Sequence, residues 1–446
     1  MPNFSRDRIS FNIEAESATD FRAVEEDEPR LGDFSGRSDR APVSARKPIL
    51  ADRDNFDEIL GKLEVTVDLP TGRIRIGNLD HFHPDHVYAS YSAFGDFREI
   101  RAKLGDPDTF AEAARELLGE KPAPMPTSSG GLLDLIAGET GTAAPAARPA
   151  NALQDFIDDA MRSHLVAKQD PRAPELIRQV DDIASDLMRM ILNNENFKAI
   201  EAAWRTVYHL VRRLETGPEL KIYLIDVTKE ELAANIEDVY RMLVQRSDPW
   251  AVIAGNYAFG IGDLTVLGLM GRIASKTQTS FLAEADGSLL GGDAQWETFR
   301  QTAEAAHVGL ALPRVLVRMP YGKGTVPCEA FDFEEISGKP DAKHMLFGSP
   351  AYFATMLIGE AFTSYGWTLT PGMSQEISDL PVYTYEENGE NKAFPCSEIE
   401  LTEEAAEALM DEGFMPLAAL RNSDVVRLVR FQSVAAPSTA LPGKWQ

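Results

Sequence analysis

The chain has 446 residues, of which 70 are Asp or Glu and 44 are Lys or Arg, giving a formal net charge of −26 at pH 7. That length calls for about two or three domains with cores that need no staples, and 44% hydrophobic with 26% charged residues excludes wholesale disorder. The acidic excess disfavours nucleic-acid binding, which needs a basic surface, and no stretch approaches the roughly 18 apolar residues of a membrane span.

Residues 1–120 read as a head of mixed α and β elements. Ile9, Phe11 and Ile13 alternate with polar neighbours, a strand pattern. An acidic stretch and the turn-rich RLGDFSGR follow. Phe56, Ile59, Leu60 and Leu63 then fall at helical spacing within residues 52–63. Residues 64–69 and 73–76 read as strands joined by the turn Pro70-Thr71-Gly72. Helices are expected over about 84–94 and 108–118.

Residues 121–150 read as a linker, because KPAPMPTSSGG and GTAAPAARPA are too rich in Pro, Ala, Gly and Ser to build a core. Between them LLDLIAGET, residues 132–140, is a short apolar island. On a short helix Leu132, Leu133, Leu135 and Ile136 gather on one side. Such a helix is too short to stand alone in water and orders against a groove, on its own domain or on a partner.

Residues 151–446 read as a body with a helical start, 151–216, and an α/β core, 217–446. Helical stripes run through Leu153 to Leu165 and through Ile183, Leu187, Met190 and Ile191. A third takes Phe197, Ile200, Ala203, Trp204, Val207, Tyr208, Val211 and Leu214. Beyond Gly217-Pro218, apolar residues concentrate at 220–227, 250–254, 313–319 and 425–431, as in buried strands. Helices are expected at 228–244, 264–281, 352–362 and 402–412, the last capped by Thr402. The fold class is α/β: an α+β head and an α/β body whose mixed sheet is flanked by helices.

Chemistry-bearing motifs are sparse. NLDHFHPDHVY, residues 78–88, brings His81, His83, His86, Asp80 and Asp85 into one stretch. These are side chains a zinc or iron site uses, in a spacing that matches no stereotyped ligand set. The competing reading has Phe82 anchoring a turn, Pro84 in the first turn of a helix and Asp85 favouring its N-terminus. GNYAFGIGD, 255–263, and YGKGT, 321–325, do not fit a phosphate loop and read as turns leading from strand to helix. Cys328 and Cys396 are too few for a disulfide framework or a cysteine-based metal site and read as reduced structural thiols. No catalytic residue and no cofactor is expected.

Several of these segments, in order, resemble the contractile sheath proteins of bacterial type VI secretion systems. GDFSG at 32–36, DRDNFDEIL at 52–60 and LDHFHPDHV at 79–87 resemble motifs of the small sheath subunit (TssB, or VipA). NNENFKAIEAAWRTVYHLV at 193–211, LKIYLIDVTKEEL at 220–232, VIAGNYAFG at 252–260, VGLALPRVLVRMPYG at 308–322, FDFEE at 331–335, LFGSPAYFA at 346–354 and GFMPL at 413–417 resemble the large subunit (TssC, or VipB). The resemblance implies both subunits fused in one cytoplasmic, non-enzymatic chain, the large one shortened at its C-terminal end.

It further implies assembly with copies of itself or other sheath subunits into a helical tube around an inner tube protein, on baseplate components. Leu132, Leu133, Leu135 and Ile136 then correspond to a segment that can carry the recognition helix for the AAA+ unfoldase that recycles sheaths. The N-terminal strand, with Ile9, Phe11 and Ile13, becomes a strand donor between protomers. The C-terminal strand, with Val425, Leu428 and Val429, becomes a receiving edge. Two alternatives stand beside this reading: a sheath-like adaptor or terminator that does not polymerise, and a metal-dependent enzyme using His81, His83 and His86. Subunits of such negative charge assemble only if acidic and basic patches meet, so assembly is expected to depend on ionic strength.

Overall fold

Apolar and β-branched runs form short strands wherever both faces can be covered. In the computed structural model, which describes residues 10–15, 33–37, 39–70, 72–118, 170–245 and 250–445, the strands in chain order are β1 (Ser10–Ala15), β2 (Ile49–Ala51), β3 (Thr66–Leu69), β4 (Gly72–Arg75), β5 (Leu220–Ile225), β6 (Val252–Phe259), β7 (Ser280–Ala285), β8 (Val308–Leu312), β9 (Val315–Arg318), β10 (Leu346–Gly348), β11 (Glu376–Ile377), β12 (Thr384–Glu387), β13 (Glu390–Ala393), β14 (Phe414–Ala419) and β15 (Val426–Leu428).

Nine of them make one mixed sheet in the order β11-β15-β14-β8-β7-β6-β1-β5-β2. Strands β6, β7, β8 and β14 run parallel, and the outer strands join antiparallel. The expected α/β class with a mixed sheet and flanking helices is therefore what the chain adopts. On one face Ile253, Tyr257, Phe259, Phe281 and Ala283 pack against Leu267, Met270 and Ile273 of helix Leu264–Thr277. Against the strands on the other side lies helix Pro350–Tyr365, backed by helix Glu195–Arg213. Residues 350–359 of that helix are all buried, which explains its apolar, unstriped sequence.

The chain divides into two compact units, one of Met1–Ser92 with Ser185–Gln446 and one of Ala93–Ala184. The second unit is helical. Leu104, Phe110, Ala113, Ala114, Ala173, Leu176 and Val180 form its core, and Arg101 pairs with Asp181 at 2.8 Å. The linker expected at 121–150 lies outside the described residues.

Most expected elements are present, but Ile183 and Met190 of the expected stripe at 183–191 are exposed, the helix expected at 228–244 is two, Lys229–Ala234 and Ile236–Val244, and four further corrections follow. Helix 84–94 ends at Ser90, and a separate helix, Gly95–Gly105, follows. Its stripe is weak because among its residues Leu104 alone is fully buried. Residues 255–259 continue β6 and do not form a turn. Gly255 belongs there because a Cβ would meet the rings of Tyr257 and Phe281 at about 3 Å. The helix expected to reach residue 281 stops at Thr277, where Gln278 takes a left-handed conformation (φ +55°), and Phe281 lies in β7. Finally, β8 and β14 are strands that apolar runs alone did not distinguish.

Candidate functional site

The residues quoted from the two halves of the sequence meet along one seam within the larger unit. At its first contact, Asp226 follows β5 and points its carboxylate at the GDFSG loop. It accepts the Phe34 N–H, the Ser35 N–H at 3.0 Å and the Ser35 hydroxyl at 2.6 Å. Gly36 donates its N–H to Asp33 at 2.6 Å, turning the loop with φ +64°. A Cβ there would lie 2.2 Å from the Thr66 carbonyl oxygen, so only glycine fits.

Cations close this contact. Arg40 is ion-paired to Asp33, to Asp226 at 3.4 Å and to Glu231 at 3.2 Å. Arg46 bonds the Asp226 carbonyl at 2.5 Å and Glu231 at 2.7 Å. Burial works against Arg40's charge, but Asp226 and Asp33 outweigh it and hold its pKa above the ordinary value. Glu231 also completes the capping box of Thr228 that starts the next helix.

Aromatic packing covers the loop from the other side. Trp204 donates its indole N–H to the Phe34 carbonyl at 3.1 Å. Its ring lies 5.1 Å from that of Phe34 and 5.6 Å, edge-on, from that of Phe56. Phe34 and Trp204 are fully buried.

The histidine stretch makes the second contact. Phe82 is fully buried and meets Phe197 edge-on at 5.6 Å. Pro84 starts helix Pro84–Ser90, and His83 Nδ1 accepts the Asp85 N–H. The Asp85 carboxylate accepts the Cys328 Sγ–H at 2.8 Å and the N–H groups of Glu329 and Ala330. Burial and the Asp85 carboxylate push the Cys328 thiol up to about 12, away from thiolate chemistry. Tyr88 packs on Phe331 at 4.7 Å. His81 Nδ1 accepts the Gly77 N–H at 2.9 Å, and the His81 and His86 rings stack face to face. The cluster is thus engaged in turn and cap contacts. Among the described residues no group of three or more His, Cys, Asp or Glu side chains is arranged to hold a metal ion.

The third contact is a buried ionic network. Glu201 on helix Glu195–Arg213 accepts Arg318 Nε at 2.7 Å and Arg205 Nε at 2.7 Å. Arg318 also donates to Glu335 at 2.7 and 3.0 Å, and its guanidinium sits 4.2 Å from the Tyr321 ring centroid. Tyr321 donates its hydroxyl to Glu201 at 3.3 Å and, at 3.5 Å, reaches the Phe82 carbonyl. Burial alone would raise the Glu201 pKa, but Arg318 and Arg205 hold it below the ordinary carboxylate value.

Asp226, Glu201 and Arg318 were not singled out by the sequence, although all three lie inside quoted motifs, and Glu335, which beside Glu334 reads as solvated charge, is buried. The available signal was a charge set within an apolar pattern, as in VLVR of β9. Leu132, Leu133, Leu135, Ile136 and Ile9 lie outside the described residues. Phe11 and Ile13 are in β1, between β5 and β6, opposite Leu224 and Ala254 and opposite Ile222 and Val252. Leu428 is buried in β15, which has β14 on one side and β11 on the other. Val425 immediately precedes β15, and the Val429 N–H bonds the Pro416 carbonyl.

The family model described as VipB, EvpB/VC_A0108, tail sheath N-terminal domain, matches residues 174–295 and 292–435, more than half of the chain, and the chain belongs to this family. It is also 24% identical over 337 residues to the type VI secretion system sheath protein TssC1 of Pseudomonas aeruginosa, covering 64% of this chain and 68% of that protein. Among the described residues no helix is long and apolar enough to cross a membrane.

Proposed function

We propose that this tail sheath protein is a structural, non-enzymatic subunit of a type VI secretion sheath, in which residues 1–120 take the part of the small subunit and 151–446 that of the large one. One observation carries the reading: Phe34 and Ser35, from the stretch resembling the small subunit, are held by Trp204 and Asp226 in the region that matches the VipB family. Fusion fixes the two parts at one to one and raises the effective concentration of each for the other.

Copies would join by heterologous contacts that propagate instead of closing. A strand that fills the slot between β5 and β6 in its own chain can fill the same slot in a neighbour, which gives Ile9, Phe11 and Ile13 their place in an assembly. Val425, Leu428 and Val429 lie one strand in from the opposite edge, which β11 occupies, and would receive a strand there only with β11 displaced. The remaining partners in this reading are an inner tube protein, baseplate components and, through Leu132, Leu133, Leu135 and Ile136, an AAA+ unfoldase. Electron microscopy of the purified protein, and of cells expressing it with its secretion cluster, tests the proposal. Tubes whose abundance changes with ionic strength are expected. Monodisperse monomers that never join tubes or co-purify with secretion components would count against it.

A further inference from the structure

The His81 and His86 imidazoles are stacked with centroids 3.8 Å apart and planes 4° from parallel. His81 Nδ1 accepts the Gly77 N–H, which requires that nitrogen to be unprotonated. A proton there would set two donors against each other, and two imidazolium rings at this separation repel. Burial and the neighbouring His81 both lower the pKa of His86.

Asp80, His83 and Asp85 share the same stretch. The Asp85 carboxylate is committed to Cys328, Glu329 and Ala330, and lies 3.4 Å from His83 Nδ1. From the 321–335 loop, Tyr321 faces His83.

We infer that the His81–His86 stack makes the 77–91 turn a pH-sensitive device that is closed when both rings are neutral and loosens on acidification. Stability here has a definite sign. The folded state holds fewer protons than the unfolded chain, so the contribution is full above the ordinary histidine value of about 6.5 and falls as pH drops below it. The turn seats Phe82 on Phe197 and presents Asp85 to residues 328–330, so the second contact of the seam loosens with it. This inference does not depend on the sheath role.

Hydrogen exchange of the full-length protein, corrected for intrinsic rates, tests it. Between pH 7.5 and 5.0 peptides covering 77–91 are expected to lose protection, as the lowered pKa of His86 requires. His86→Phe, which keeps a stacking ring, and His86→Gln are both expected to reduce that loss while matching the wild type at pH 7.5. Unchanged protection in the wild type, or the same loss in either folded variant, would overturn the inference.

Discussion

Trp204 donates its indole N–H to the backbone carbonyl of Phe34, 170 residues away in sequence, across 3.1 Å. Neither residue has solvent on either side, so the bond and the ring contact act together. Trp204→Phe keeps an aromatic ring and leaves the Phe34 carbonyl unpaired, at a cost of about 1–3 kcal/mol. Trp204→Ala also opens a cavity and costs about 3–5 kcal/mol. Urea unfolding of both variants measures the difference, and a Trp204→Phe variant as stable as the wild type would show that the hydrogen bond contributes nothing beyond packing.

Asp226 collects more of the loop than any other side chain of the first contact. Asp226→Ala strands the N–H groups of Phe34 and Ser35 and leaves Arg40 with Asp33, Glu231 and the Ser35 hydroxyl. A loss of about 3–5 kcal/mol is expected, as for breaking a buried charge pair from one side. Gly36→Ala is expected to destabilise by at least about 1–3 kcal/mol because φ is +64° and the Thr66 carbonyl blocks the Cβ. Thermal melts of the two variants check both values.

Arg318 lies between two carboxylates that are also buried, Glu201 and Glu335. Arg318→Met leaves both without their shared cation and is expected to cost about 3–5 kcal/mol. Combining it with Glu201→Gln and Glu335→Gln is expected to recover part of that loss, since uncharged groups are cheaper to bury. Denaturant midpoints of the single and triple variants decide it. A triple variant weaker than Arg318→Met would show that the network acts through geometry more than charge.

His209 supplies a second acid-sensitive group. Burial, with help from Arg205 and Arg213, lowers its pKa against the opposing pull of the Val317 carbonyl, 3.2 Å from Nε2. The folded protein therefore keeps this ring neutral where the unfolded chain protonates it, and stability is lost as pH falls below about 6.5. His209→Gln is expected to flatten the decline in unfolding free energy between pH 7 and pH 5, measured by urea titration at each pH.

Local pattern carried much of the fold. The 3.6-residue stripe of 197–214 predicts helix Glu195–Arg213 closely, the apolar run at 220–227 predicts β5, and Thr402 caps its helix through Ala405 N–H as read. Pairing partners were not legible, because nothing near residues 10–15 says that they lie between strands more than 200 residues later. The end of helix Leu264–Thr277 was also hidden, since one left-handed residue, Gln278, separates two apolar segments. The charges of the seam escaped for a different reason. Periodicity treats Glu201 and Arg318 as outward-facing, whereas each is buried by the other.

The central claim is that the first 120 residues are a small-subunit equivalent seated on the rest of the chain. Its most direct test is to express residues 1–120 and 151–446 as separate chains and measure their association by light scattering and calorimetry. A one-to-one complex is predicted, weakened at least about tenfold by Asp226→Ala, since 1.4 kcal/mol is a factor of ten. Two separately soluble fragments that do not associate, or a complex indifferent to Asp226→Ala, would contradict the account.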